Sequence, residues 1–221
     1  MDKERAHYRR RASYAPRLII MAKSPRAGRT KLRLAANIGA VSATRFYRTC
    51  LAHTLMRLGG DRRWHTLLAV SPGNDIGMRL WLTAGHEARI GRLSQCDGDL
   101  GRRMQLLFQR LPPGPAIIVG SDIPAINPSE IAKAFRLLSK SDAVFGPASD
   151  GGYWLVGLRR SPRLPAPFTQ VRWSGPYALA DTLDNLKRQR VAFAATLSDV
   201  DTEGDYRRLG RHWERLIPPA R

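Results

Sequence analysis

At 221 residues, 43% hydrophobic and 25% charged, the chain can bury a core and has the composition of one globular domain, not of a fibrous or disordered sequence. No apolar stretch approaches the roughly 20 residues that cross a bilayer, and residues 1–11 lack the apolar segment of a secretory signal, so a cytoplasmic setting is expected. The net charge of +19 comes without zinc-finger spacing or an RRM-like or KH-like signature, which predicts attraction to anionic ligands and makes nucleic acid an unlikely main partner.

Residues 1–16 read as a basic, flexible arm ending at Pro16, and 17–221 as the folded domain. Up to Arg33, eleven lysines and arginines stand against only Asp2 and Glu4. Short apolar runs predict strands over 17–22, 66–70, 116–120, 143–146 and 153–158, with a weaker one over 191–196. Several are nearly continuous in Val, Ile and Leu, as for strands buried on both faces of a parallel sheet. Helical spacing appears between them. Phe46, Cys50, Leu51, Leu55 and Leu58 mark a helix over 42–58. Leu100, Met104, Leu107, Phe108 and Leu111 mark another over 99–111, with Asp99 as N-cap. Asn127-Pro128-Ser129-Glu130 supplies an N-cap, a first-turn proline and a third-position glutamate for a helix to about residue 138. Further helices are expected over 176–189 and 203–216, and the proline-rich stretch 161–168 reads as a surface loop. Alternation of this kind implies an α/β fold with a mostly parallel central sheet and ligand sites at the carboxyl ends of its strands.

The chemistry concentrates in a basic segment and two acidic loops. Lys23-Ser24-Pro25-Arg26-Ala27-Gly28-Arg29-Thr30-Lys31-Leu32-Arg33 follows the apolar Leu18-Ile19-Ile20. Gly120-Ser121-Asp122-Ile123-Pro124 and Asp199-Val200-Asp201-Thr202 come much later. Lysine and arginine neutralise phosphates, while carboxylates recruit a hard cation such as Mg²⁺ or Mn²⁺. Together they suit an enzyme that holds a metal-bound phosphate chain. Pro25 and Gly28 shape a turn that lets the backbone approach a ligand. Lys23, Arg26, Lys31 and Arg33 could then contact a diphosphate, Lys31 and Arg33 from one face of an extended segment. The alternative is a solvated basic loop.

Five motifs in order resemble one bacterial family. They are Lys23-Ser24-Pro25-x-x-Gly28-x-x-Lys31-x-Arg33-Leu34, Gln95-x-x-Gly98-Asp99-Leu100-Gly101-x-Arg103-Met104, Gly120-Ser121-Asp122-x-Pro124, Gly146-Pro147-Ala148-x-Asp150-Gly151-Gly152-Tyr153 and Asp199-Val200-Asp201-Thr202. The family consists of GT-A-fold, glycosyltransferase-like proteins known largely as a domain of unknown function. Some accompany arsenosugar or radical-SAM gene neighbourhoods. It is related in fold to molybdopterin and phospholactate guanylyltransferases. Two departures are Leu32 and Gly175, where the family usually carries threonine. The resemblance implies a GT-A-like (nucleotide-diphospho-sugar transferase) three-layer sandwich.

It also implies roles. Asp122 stands where GT-A enzymes place a metal-binding carboxylate, and lacking an Asp-x-Asp partner it needs a second ligand, Asp201 before Asp199. The alternatives are an Asx turn at Asp122 and helix capping by the Asp199–Asp201 pair. Asp150 is the expected catalytic base on an acceptor hydroxyl, with Gly151, Gly152, Tyr153 and Trp173 on the acceptor side. A tight Asp-Gly turn and core packing of the two aromatics are the alternatives. Asp99 and Ser121 join the nucleotide side, Asp99 with simple capping as its rival. The expectation is a metal-dependent transferase moving a glycosyl group from a nucleoside-diphosphate sugar to a small acceptor. Nucleotidyl transfer to a phosphorylated small molecule is the same-fold alternative, and a non-catalytic nucleotide- or nucleic-acid-binding protein is the alternative of another class.

Overall fold

The structure, a computed structural model, describes residues 14–78, 90–160 and 164–216. Residues 1–13 of the expected arm and 161–163 of the expected proline-rich loop lie outside the described residues. Among the described residues the strands are β1 (Arg17–Lys23), β2 (His65–Ser71), β3 (Gly91–Ser94), β4 (Gly114–Gly120), β5 (Ala143–Pro147), β6 (Tyr153–Arg160) and β7 (Val191–Phe193). The helices are α1 (Leu32–Ile38), α2 (Ala40–Gly59), α3 (Leu100–Arg110), α4 (Pro128–Leu138), α5 (Ala178–Asp184) and α6 (Glu203–Leu216).

The strands form one sheet in the order β3-β2-β1-β4-β6-β5-β7. All neighbours run parallel except β6, which is antiparallel to both β4 and β5. The chain order turns back between β1 and β4, the switch point where open α/β sheets bind ligands beyond their strand ends. There Lys23 pairs with Ser71 and Met21 with Gly120. Because β6 runs the other way, it starts at the edge where β1, β4 and β5 finish. The acidic turn before Tyr153 is thereby brought to the same edge as Lys23, Asp122 and Gly146.

Period-two alternation divides the sheet's side chains between two cores. Leu18, Ile20, Ile117 and Val119 pack with Leu51, Leu55 and Leu58 of α2 and with Ile131 and Leu138 of α4. Ile19, Ile118 and Phe145 face the other way, onto Met104, Leu107 and Phe108 of α3. Both faces of β1 and β4 are thus covered, which is why these strands are apolar without a polar alternate. Each such side chain contributes about 1.5–3 kcal/mol by burial. Asn127 caps α4 by accepting from the Ser129 and Glu130 amides, with Pro128 in the first turn. Among the described residues no helix is long and apolar enough to cross a membrane.

Three local expectations are corrected and two elements are added. Strand β3 and helix α1 are additional elements. Lys31 and Arg33 are not in an extended segment, since Lys31 is left-handed (φ 51°, ψ 49°) and Arg33 lies in the first turn of α1. Helix α5 ends at Asp184, and the rest of the expected 176–189 helix is turns closed by Leu186 N–H to Leu183 O and Gln189 N–H to Leu186 O. Strand β7 stops at Phe193, although the Ala194 and Leu197 amides still reach Phe145 O and Pro147 O.

Candidate active site

The β1 end is clamped by one hydroxyl. Tyr47 of α2, 4% exposed, donates to Lys23 O (3.1 Å), accepts from Lys23 N–H (2.8 Å) and shares a hydrogen bond with Ser121 Oγ (3.0 Å). Burial raises its phenol's pKa well above the ordinary value, so it stays a neutral bridge between the β1 and β4 ends. Beyond Lys23 the chain turns through Gly28 (φ 73°), a conformation glycine adopts without steric penalty. It re-enters regular structure at Lys31, whose left-handed backbone precedes α1.

That conformation sends the Lys31 side chain inward, where it is 6% exposed. Its Nζ lies 2.5 Å from Asp122 Oδ2, 3.5 Å from Asp201 Oδ1 and 4.0 Å from Asp199 Oδ2. Burial alone would lower the ammonium's pKa, but the charge and hydrogen bond of Asp122, helped by Asp199 and Asp201, outweigh it and raise it. Arg33 Nη1 donates to Asp201 Oδ2 at 3.1 Å. Asp199 is pushed up to about 6, first by burial, then by the negative charge of Asp122, with Lys31 opposing and Asp150 and Asp201 adding to the rise. Three carboxylates therefore crowd around one ammonium.

The carboxylates are free to do so because another residue caps α6. Thr202 Oγ1 accepts from Asp205 N–H, while the Asp205 carboxylate accepts from the Thr202 and Asp201 amides. This reciprocal capping box leaves the Asp199 and Asp201 side chains out of the helix terminus. Val200 N–H to Asp122 O (3.3 Å) ties the two acidic loops together.

A cleft of about 260 Å³ opens beside this cluster. Asp122, Asp150 and Asp199 line it together with Tyr153, Trp173 and Leu100. Asp150 Oδ1 accepts from Gly152 N–H (2.9 Å), an Asx turn that leaves Oδ2 outside the turn. Gly151 (φ 85°) is required, because a Cβ there would lie 2.2 Å from Pro176 O. Its carbonyl accepts from Leu179 N–H, which fixes the strap carrying Trp173 against the Asp150 turn. Trp173 packs between Tyr153 and Phe168, and a Cβ on Gly101 would strike it at 2.8 Å. Arg172 holds the same strap from outside through a bidentate pair with Asp181 and a stack on Tyr177 (4.0 Å).

Lys31, Arg33, Asp122 and Asp201 are brought to one point, and Asp150, Gly152, Tyr153 and Trp173 to one adjoining cleft. Other expected residues have different partners. Arg26 pairs with Asp75 (2.5 Å), Asp99 caps α3 through Arg102 N–H, and Ser121 is buried on Tyr47. Gly151 packs on Pro176 without lining the cleft, and Lys23 stands exposed at the β1 end. Sequence reasoning missed Tyr47, Asp75 and the bracing of Arg103. Gln95 accepts from Arg103 Nη1 (3.1 Å) and donates to Ala69 O (2.7 Å) and Ala22 O (3.3 Å). The Gln95-to-Arg103 spacing within one motif was the available signal; Tyr47 and Asp75 left none.

Fit to a divalent cation is mixed. Carboxylate oxygens are the hard donors that Mg²⁺ and Mn²⁺ take. Here, though, the Lys31 ammonium holds the point of convergence, and among the described residues no group of three or more His, Cys, Asp or Glu side chains is arranged to hold a metal ion.

Sheet order, the antiparallel β6 and the acidic edge at the switch point define a GT-A-like nucleotide-diphospho-sugar transferase fold. The chain belongs to the bacterial family described as "Uncharacterized protein conserved in bacteria (DUF2064)", whose pattern matches residues 54–175. Among solved structures it is similar to a candidate nucleotide-diphospho-sugar transferase from Desulfovibrio desulfuricans G20, with 29% identity over 90% of this chain and 87% of that one and a TM-score of 0.78. It shares the fold of a 4-diphosphocytidyl-2C-methyl-D-erythritol synthase from Anaerococcus prevotii DSM 20548, with 11% identity over 92% and 100% of the two chains and a TM-score of 0.60. It also shares that of Rv0371C from Mycobacterium tuberculosis H37Rv in complex with manganese, with 18% identity, coverage of 88% and 97% and a TM-score of 0.50. No curated protein matches the chain.

Proposed function

We propose that the chain is a transferase using a nucleotide-activated donor, and that it moves a glycosyl group from a nucleoside-diphosphate sugar to a small acceptor. The observation that carries this is the meeting of Lys31 and Arg33 with Asp122 and Asp201 beside a cleft walled by Asp150, Tyr153 and Trp173. The exposed Arg33–Asp201 pair is worth about 0.2–1 kcal/mol. Arg33 can therefore exchange partners at small cost when a diphosphate arrives, and its fork can meet phosphate oxygens in bidentate fashion. Asp122 and Asp201 would hold Mg²⁺ or Mn²⁺ once Lys31 turns from them to the donor phosphates. A cation held there would supply positive charge to the diphosphate.

Asp150 takes the proton of the acceptor hydroxyl. The acceptor oxygen then bonds to the anomeric carbon, and the carbon–oxygen bond to phosphate breaks with its electron pair on the phosphate oxygen. A nucleoside diphosphate leaves, its charge met by Lys31 and Arg33, and the proton stays on Asp150. The second reading, nucleotidyl transfer, draws on the likeness to the Anaerococcus synthase. There a phosphorylated acceptor would attack the α-phosphate of a nucleoside triphosphate and release pyrophosphate. Thermal-shift screening of nucleotides and nucleotide sugars with and without Mn²⁺ identifies the donor, since a ligand of the folded state raises its stability. Nucleoside diphosphate as product supports the first reading and pyrophosphate the second. No shift with any nucleotide overturns both.

A further inference from the structure

The cleft opposes the rest of the molecule in charge. The chain carries +19 overall, yet among the described residues no lysine, arginine or histidine lines the cleft, while Asp122, Asp150 and Asp199 do. The cations that neighbour it are already paired with carboxylates. Lys31 Nζ is on Asp122, Arg33 on Asp201, and Arg172 is turned outward onto Asp181 and Tyr177. A divalent cation at Asp122 and Asp201 would still leave Asp150 and Asp199 facing the cavity. The aromatic part of the wall is Tyr153 and Trp173, with ring centroids 6.4 Å apart at 71°. That wall is rigid, since Trp173 is wedged against Gly101 and Phe168.

We infer that the molecule held in this cleft is a hydroxyl- or amine-bearing acceptor with an apolar face and no phosphate or carboxylate of its own. Carboxylates accept hydrogen bonds from hydroxyl and ammonium donors, and aromatic walls take the carbon face of a sugar ring or an adjacent cation. An anionic group in the same space would meet the Asp150 and Asp199 carboxylates, with the Lys31 ammonium already held by Asp122. The inference rests on the transferase reading for the word acceptor, but its charge rule belongs to the cleft alone. It also disfavours the phosphorylated acceptor that nucleotidyl transfer requires.

The test uses three probes of one skeleton, glucosamine, glucose and glucose 6-phosphate, titrated onto the full chain with Mg²⁺ and followed by saturation-transfer NMR. Glucosamine and glucose should bind, with glucose 6-phosphate at least about tenfold weaker than glucosamine, a gap of about 1.4 kcal/mol. Asp150→Asn and Asp199→Asn should each narrow that gap by removing one lining charge. Equal or tighter binding of glucose 6-phosphate overturns the inference, as does failure of all three probes to bind. Nucleotide binding, measured separately, keeps the two ideas apart. A nucleotide-binding protein that prefers glucose 6-phosphate loses this inference and keeps the transferase reading, whereas an intact charge preference without nucleotide binding does the reverse.

Discussion

The edge of the sheet carries two half-sites built on opposite principles. On the β1 side, charge is matched by charge: Lys31 sits among Asp122, Asp199 and Asp201, and Arg33 leans on Asp201. On the β6 side, shape is set by packing: Gly151 fits under Pro176, and Trp173 is wedged by Gly101, Phe168 and Tyr153. An exposed pair such as Arg33–Asp201 exchanges partners at little net cost, while a close-packed wall does not move without losing contacts. The β1 side is therefore suited to a ligand that arrives with its own charges. The β6 side is suited to one recognised by outline.

The largest expected effect probes the β6 side through chemistry alone. Asp150→Asn keeps the turn, because the amide oxygen can still accept from Gly152 N–H. It removes the proposed base, so the chemical step should fall by about 10²–10⁴-fold while donor affinity holds. Steady-state kinetics with the acceptor varied decide it, and normal turnover would leave Asp150 as a turn residue only.

Gly151→Ala strikes the same side through shape. The left-handed backbone costs about 1–2 kcal/mol with a Cβ, and the 2.2 Å approach to Pro176 O adds a clash with backbone that cannot rotate away. A total near 3 kcal/mol should lower the melting temperature by about 6–12 °C, at 2–4 °C per kcal/mol for a chain of this size. Gly175→Ala is the control, with nothing within 4 Å of its Cβ. Equal melting temperatures for the two variants would show that the strap is not held at Gly151.

Lys31→Met tests whether charge matching on the β1 side is exchangeable. Calorimetry should give opposite signs: Mn²⁺ alone binds more tightly once the ammonium leaves the carboxylates, whereas nucleotide binds more weakly by about 1.5–3 kcal/mol. Two changes in the same direction would separate Lys31 from the phosphates.

The division between the half-sites also explains what could be read from the sequence. Strands β1 and β4 were legible because both faces are covered, so Leu18-Ile19-Ile20 and Ile117-Ile118-Val119 need no polar alternate. Helix α4 was legible from Asn127 and Pro128 at its start. Strand β3 was not, as Gly91-Arg92-Leu93-Ser94 is a short edge strand with one large apolar residue. Helix α1 was not, because its seven residues are entered through a left-handed lysine and carry no side-chain cap. In the site, residue identities were legible and pairings were not. A lysine and an aspartate 91 positions apart can share a phosphate chain or bind each other, and only the fold sets Lys31 on Asp122 and Arg26 on Asp75.

The smallest expected effect asks whether the β1 side carries one carboxylate too many for the protein without metal. Asp199 is raised to about 6, with burial the first cause and Asp122 the second. An unfolded aspartate titrates near 3.9, so between these values the folded chain binds the extra proton. The group therefore favours folding below about pH 4, and that advantage is lost as the pH rises through about 6. Asp199→Asn removes the penalty of the charged form. In chelator-treated protein it should raise the melting temperature at pH 7.5 by on the order of 1–2 °C, the small size reflecting solvent screening of a partly exposed group. At pH 4 the variant and the parent should melt together, because the parent's Asp199 is then already protonated when folded. A variant that melts lower than the parent at pH 7.5 would mean that Lys31 needs Asp199 as a partner more than Asp122 and Asp201 suffer it as a neighbour.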